Sequence, residues 1–157
     1  MDVYSDVGQT SKAMKGAAKR VRELRERTGK SADDLARLLG MSPMSYFDIE
    51  FHDDELESVP SLRQVRELAM RLGVSAVELV TGSTTDVNER IRWPDLVSRT
   101  LDYRRTAGVT ENGFEDLVGW KLGDFFASED AMLDNYTVDF LKELCKELQI
   151  SWVHALP

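Results

Sequence analysis

The chain has 157 residues, of which 31% are charged, and its formal net charge is −8. No apolar run is long enough to span a bilayer or to act as a secretory signal, so we expect a cytoplasmic protein with no membrane association. The lone Cys145 excludes an internal disulfide, and the two histidines, His52 and His154, lie too far apart in sequence to suggest a zinc site.

The first half of the chain has the apolar periodicity and the capping residues of five short helices. The first helix is predicted over residues 17–27. Ser31 is predicted to cap the second helix, which ends at Gly40, because serine accepts a hydrogen bond from a free amide and glycine adopts a left-handed backbone without strain. Ser42 is predicted to cap the third helix, with Pro43 at its first position.

The apolar spacing of the third helix also predicts which of its faces is exposed. Tyr46 and Ile49 are three residues apart and are predicted to point inward. The outward residues are then Pro43, Met44, Ser45, Phe47 and Asp48. This outward face is the exposed side of the third helix and is available for contact with a partner.

The fourth helix is predicted to begin at Ser61, and this helix and the short fifth one recur near the end of the chain. Residues 61–80 align with residues 137–156 without a gap and share five identical residues. Upstream, residues 28–41 align with residues 107–120. The offset is 76 residues in the first alignment and 79 in the second, and such self-similarity indicates a structural unit that is present twice.

The internal repeat predicts an all-α fold of two tandem five-helix bundles. We assign residues 1–15 to an N-terminal arm, 16–82 to the first bundle, 83–92 to a linker and 93–157 to a degenerate second copy. A bundle of about 65 residues is near the lower limit for an independent core. We therefore expect the two bundles to be packed together.

Several short motifs in the first bundle have the spacing of a known family. The motifs are Arg22–Arg25, Leu35–Ala36, Leu39–Ser42, Ile49–Glu50, Pro60–Leu62 and Leu68–Ser75 with Leu79. Together they resemble the Cro/CI-type helix-turn-helix family, also called the XRE or lambda-repressor-like family. The second copy keeps the inner-face pattern of this family and loses most of its surface features.

The resemblance implies a DNA-binding transcriptional regulator that docks on double-stranded DNA through the first bundle. In such proteins the third helix enters the major groove, and helix starts with nearby basic side chains hold phosphates. Carried over by position, the candidate phosphate contacts are Lys30, Ser31, Ser61 and Arg63. Arg25 and Glu50 occupy the positions of a structural ion pair. The sequence leaves a homodimer open.

Charge is distributed unevenly over the first bundle. Residues 12–30 contain eight basic and two acidic side chains, whereas residues 31–60 contain one basic and eight acidic side chains. The basic stretch is either a phosphate-binding stripe or simply the solvated face of a helix. The acidic loop at residues 51–57 should weaken DNA binding unless it folds away or pairs with the first helix.

The outward face of the third helix favours a different partner. Only Ser45 is a plausible reader of base edges, and the carboxylate of Asp48 is repelled by phosphates. The alternative is an acidic protein-binding module, such as an antitoxin, immunity or polymerase-contacting accessory protein, that uses exposed Met44 and Phe47. No nucleophile–base pair, phosphate loop or metal-ligand cluster is apparent, so we predict no enzyme activity, cofactor or metal.

Overall fold

The computed structural model describes residues 16–84 and 89–157. The predicted N-terminal arm, and residues 85–88 of the predicted linker, lie outside these ranges. The described part of the chain contains α-helices and one 3₁₀ helix but no β-strand, which confirms the all-α prediction. None of the helices in this part is long and apolar enough to cross a lipid bilayer.

Apart from the segment between α6 and α7, the helices follow one another with short connections. In chain order they are α1 (Ala17–Thr28), α2 (Ala32–Leu39), α3 (Pro43–Phe51), α4 (Glu55–Ser58), α5 (Leu62–Leu72), α6 (Ala76–Thr81), α7 (Trp93–Ala107), α8 (Glu111–Val118), α9 (Gly123–Ala127), α10 (Glu129–Asn135) and α11 (Val138–Leu148). A 3₁₀ helix, Trp152–Ala155, follows α11. The described residues form two compact units: unit 1 contains residues 16–60 and 64–84, and unit 2 contains residues 61–63 and 89–157.

Capping residues set the helix boundaries around α2 and α3 in unit 1. The Ser31 hydroxyl accepts a hydrogen bond from the Asp34 amide at 3.0 Å, and the Ser42 hydroxyl accepts one from the Ser45 amide at 3.1 Å. Gly40 ends α2 with a φ of +69°, a left-handed backbone that side chains with a Cβ rarely adopt. The turn between α2 and α3 is therefore short and encoded by local sequence.

The core of unit 1 takes apolar side chains from every helix of the unit. The side chains with no exposed surface are Val21, Leu35, Tyr46, Ile49, Leu56, Val65 and Leu79. Tyr46 and Ile49 thus point inward as predicted. Leu56 belongs to α4, a one-turn helix within the segment that the sequence analysis treats as an acidic loop. Burial of this leucine, which contributes roughly 2 kcal/mol, holds the acidic segment against the core.

Unit 2 has its own core, which is built around aromatic side chains. Phe114, Phe125 and Phe140 are fully buried, and the ring centroids of Phe125 and Phe140 lie 5.8 Å apart. The Tyr136 hydroxyl donates to the Lys121 carbonyl at 2.6 Å and accepts from the Phe125 amide at 3.0 Å. Large aromatic side chains with satisfied polar groups supply much of the stability of a small domain.

Two boundaries of α8 in unit 2 repeat those of α2 at the aligned positions. Thr110 caps α8 as Ser31 caps α2, because its hydroxyl accepts a hydrogen bond from the Gly113 amide at 3.0 Å. Gly119 ends α8 with a φ of +85°, as Gly40 ends α2. These shared caps support the predicted tandem copy, which stays a prediction.

Cys145 lies on the inner side of α11 and has no exposed surface. Burial raises the pKa of its thiol to about 12. Since the thiolate is the reactive form of cysteine, this thiol is unreactive near neutral pH.

Candidate nucleic-acid interface

The first turn of α3 faces solvent. Pro43 and Met44 are exposed, and Ser45 and Asp48 are half-buried. The Ser42 hydroxyl caps the helix and also donates to the Ser45 hydroxyl at 2.9 Å. Ser45, which is predicted to be the only plausible base reader, is therefore already hydrogen-bonded to the cap of its own helix.

An apolar face runs along the outside of α3 and consists of Met44, Phe47 and Phe51. Their exposed fractions are 68%, 47% and 54%. The Phe47 and Phe51 rings are stacked with centroids 4.0 Å apart, and the Arg22 guanidinium lies 6.0 Å from the Phe51 centroid. The prediction that Phe51 lies in a loop is wrong, because the helix continues to Phe51. The spacing of four residues between Phe47 and Phe51 is the signal that puts both on one helical face.

The opposite side of α3 is anchored by an ion pair between Arg25 of α1 and Glu50. The guanidinium donates to the two carboxylate oxygens at 2.7 and 2.9 Å, and it also donates to the Lys30 carbonyl at 3.1 Å. The hydrogen bonds with Glu50 are the main reason why the pKa of Arg25 is raised. Because Glu50 is almost fully buried, the pair fixes α3 relative to α1 and to the chain before α2.

The Tyr46 hydroxyl lies in the core close to this ion pair. It is buried and has no hydrogen-bond partner within the described part of the chain. Burial, and secondarily the Glu50 carboxylate, raises the pKa of Tyr46. The group therefore stays a neutral phenol whose polar end is unsatisfied.

Two of the candidate phosphate contacts, Lys30 and Ser31, lie at the start of α2 in unit 1. Ser31 caps the helix through the Asp34 amide, and the Asp34 carboxylate accepts from Arg37 at 2.7 Å. Hydrogen bonding to Ser31, followed by that to Arg37, lowers the pKa of Asp34. The Lys30 ammonium forms no ion pair with any residue that the structure describes, so its charge is available to an anion.

Comparison with known protein families identifies the first part of the chain. Residues 21–79 match the family model described as helix-turn-helix. This segment is a helix-turn-helix domain. The result confirms the resemblance for unit 1, and the match does not extend to residues 93–157. No curated protein and no solved structure matches the chain.

Within the helix-turn-helix domain, α2 and α3 form the motif and residues 40–42 form its turn. The domain presents α3 with a rigid backbone, since a serine cap holds one end and the Arg25–Glu50 pair holds the inner side. Its outer side differs from a typical base-reading surface, because Met44, Phe47 and Phe51 are apolar.

The other two candidate phosphate contacts, Ser61 and Arg63, belong to unit 2. The Arg63 guanidinium is held by two carboxylates of α10 and donates to Asp134 at 2.5 Å and to Asp130 at 2.8 Å. These hydrogen bonds, with that to Asp134 first, raise the pKa of Arg63. Arg63 is thus neutralised in the structure by partners that its local sequence does not indicate.

The acidic segment after α3 forms a hydrogen bond and charge interactions with α1. The Asp53 carboxylate accepts from the Ala18 amide at 3.1 Å, where the first turn of α1 has free amides. Arg20 donates to the carbonyls of Leu79 and Val80 at 2.8 and 2.9 Å, and the charges of Asp53 and Glu57 partly offset the lowering of its pKa by burial. Part of the acidic segment is therefore paired with the basic first helix.

Proposed function

We propose that this protein is a DNA-binding transcriptional regulator whose helix-turn-helix domain docks on double-stranded DNA with α3 in the major groove. The observation that carries the proposal is the family match over residues 21–79, which contains both helices of the motif and their turn. In helix-turn-helix proteins the second helix of the motif enters the major groove. The exposed outer side of α3 suits this placement.

The start of α2 supplies the phosphate side of the proposed interface. A helix start carries free amides and a positive end of the macrodipole, which together bind anions. Ser31 stands at this start, and the Lys30 ammonium beside it adds a full positive charge. We assign these two residues to one phosphate contact and Ser61 with Arg63 to a second.

The apolar face of α3 limits how DNA sequence would be read. Ser45 supplies one hydroxyl, while Met44 and Phe47 supply only apolar contact, which suits the methyl group of thymine in the major groove. None of the outward residues of α3 is an arginine, asparagine or glutamine, the side chains that form bidentate hydrogen bonds with base edges. The proposed regulator therefore takes most of its affinity from phosphates and discriminates weakly among sequences.

A salt series tests the proposal. Binding of a labelled mixed-sequence duplex should weaken steeply with salt, by roughly one power of the salt concentration for each phosphate contact. Lys30→Glu should reduce affinity at low salt by about tenfold or more. Lys146→Glu is the matched control, because it makes the same change of charge at an exposed position of α11 in unit 2. No binding at low salt by the wild-type chain would contradict the function.

A second function is favoured by one specific observation, the stacked and exposed rings of Phe47 and Phe51 beside Met44. Solvent-exposed aromatic side chains that lie together on one face of a helix are typical of protein-binding surfaces. In this alternative, α3 contacts a protein, and the protein is an acidic accessory module of the antitoxin, immunity or polymerase-contacting kind.

The alternative is tested on the same face. Phe47→Asp should abolish a protein complex recovered from the source cells, while an equal substitution of another exposed apolar residue, Met70→Asp on α5, should leave it intact. Both variants should melt near the wild-type temperature, since neither side chain is buried. Equal recovery of the complex with both variants would exclude α3 as the contact.

A further inference from the structure

The ion pairs of Arg63 give the acidic α10 a role in the proposed DNA binding. Arg63 is one of the residues that we assign to phosphate, yet its Nε and Nη2 atoms donate to Asp134 and Asp130. The Arg63 side chain is one-third exposed, whereas the Asp130 and Asp134 side chains are 85% and 54% exposed. The contact is therefore open to solvent and accessible to an incoming anion.

The two aspartates are placed to hold one guanidinium together. They are four residues apart on α10, so both side chains lie on the same helical face. Each uses one oxygen on a different nitrogen of Arg63. A phosphate group can also accept hydrogen bonds from several guanidinium nitrogens at once. The two carboxylates therefore occupy the donor positions that a phosphate would use.

We propose that Asp130 and Asp134 act as an autoinhibitory contact that competes with DNA phosphate for Arg63. This inference rests on the proposed function. Two carboxylates outweigh the single positive charge of Arg63, so a phosphate that approaches it meets a surplus of negative charge. Full DNA affinity requires that Arg63 exchange its carboxylate partners for a phosphate.

The strength of the contact suits competition. Ion pairs between solvent-exposed side chains are weak, because water and salt screen them. Such pairs lower the affinity of a competing ligand without abolishing its binding. Any change that removes charge from α10 should therefore increase DNA affinity while leaving the fold intact.

The test is the double substitution Asp130→Asn/Asp134→Asn in the full chain, with a labelled mixed-sequence duplex at low salt. We expect this variant to bind about tenfold more tightly than the wild type. The matched control is Glu111→Gln/Asp116→Asn, which removes the same charge from exposed positions of α8 in the same unit. The control should increase affinity by less than about threefold, because long-range repulsion is screened.

A third variant isolates Arg63. In an Arg63→Gln background the two asparagine substitutions should increase affinity no more than the α8 control does, because no guanidinium is left to release. For each variant, circular dichroism should show wild-type helicity and a melting temperature close to that of the wild type. If the double variant does not fold, the test is repeated with the single variant Asp130→Asn, whose position is the more exposed of the two.

The outcomes separate the two proposals. Equal affinity of the α10 variant and the α8 control, or the same gain in the Arg63→Gln background, overturns the competition and leaves DNA binding standing. Failure of the wild type and of every variant to bind the duplex at low salt overturns the proposed function and the competition with it.

Discussion

Tyr46 and Tyr136 place the same hydroxyl group in two opposite environments. Both side chains are buried. The Tyr136 hydroxyl has one acceptor and one donor within 3.0 Å, whereas the Tyr46 hydroxyl has no hydrogen-bond partner among the described residues. A buried polar group without a partner costs free energy, while a satisfied one contributes to stability. The two tyrosines therefore allow a comparison of how much a buried hydroxyl contributes to the free energy of unfolding with and without hydrogen-bond partners.

Removing the hydroxyl should lower stability at Tyr136 but not at Tyr46. Tyr46→Phe should leave the free energy of unfolding unchanged or raise it by up to about 1 kcal/mol, because an unsatisfied group is lost. Tyr136→Phe should lower it by about 1–3 kcal/mol, because the Lys121 carbonyl and the Phe125 amide lose their partner. Urea unfolding followed by circular dichroism measures both. A large loss of stability in Tyr46→Phe would mean that the hydroxyl has a partner.

At the scale of helices, the Arg25–Glu50 pair is the main polar link between α1 and α3. The Glu50 side chain is only 4% exposed, so its carboxylate depends on Arg25 for compensation. Breaking a buried pair by removing one partner is much more harmful than replacing both. The pair should therefore behave as one unit in a mutant cycle.

Arg25→Met should lower the free energy of unfolding by about 3 kcal/mol, because it leaves the Glu50 carboxylate buried and uncompensated. Arg25→Met/Glu50→Met should recover a substantial part of this loss, since both charges are gone and the methionines can pack in their place. Urea midpoints of the two variants and of Glu50→Met complete the cycle. Additive effects of the two single substitutions would show that the residues do not interact.

Local sequence signals predicted the helices of the motif better than the contacts between distant segments. The caps Ser31 and Ser42 and the end at Gly40 act within four residues, so they can be read directly from the sequence. The short α4 could not be predicted in this way, because it depends on the burial of Leu56 by the rest of unit 1.

The candidate site was predicted in part for the same reason. The outward position of Phe47 follows from helical periodicity, and the structure extends this face to Phe51. The partners of Arg63 could not be predicted, because Asp130 and Asp134 are 67 and 71 residues away along the chain. No pattern in one sequence indicates which of many exposed carboxylates an arginine will meet.

For the molecule as a whole, the negative net charge affects how fast the protein would associate with DNA. A protein with a formal net charge of −8 is repelled by a polyanion at long range, although residues 12–30 are locally basic. The Debye length is about 10 Å at 0.1 M salt, so attraction to the basic groups acts only near contact. Long-range steering, which speeds the binding of positively charged proteins to DNA, should therefore be missing.

Salt should therefore act mainly on the dissociation rate constant of DNA binding and little on the association rate constant. Between about 50 and 200 mM salt the association rate constant should change less than about threefold, while the dissociation rate constant rises by at least about tenfold. Screening weakens the long-range repulsion as well as the short-range attraction, so its two effects on association oppose each other. Stopped-flow fluorescence anisotropy with a labelled duplex measures both constants.

Glu111→Gln/Asp116→Asn, which makes the net charge less negative by two, should speed association at the lower salt concentration. An association rate constant that falls steeply with salt would instead show that the basic stretch dominates the field that DNA meets.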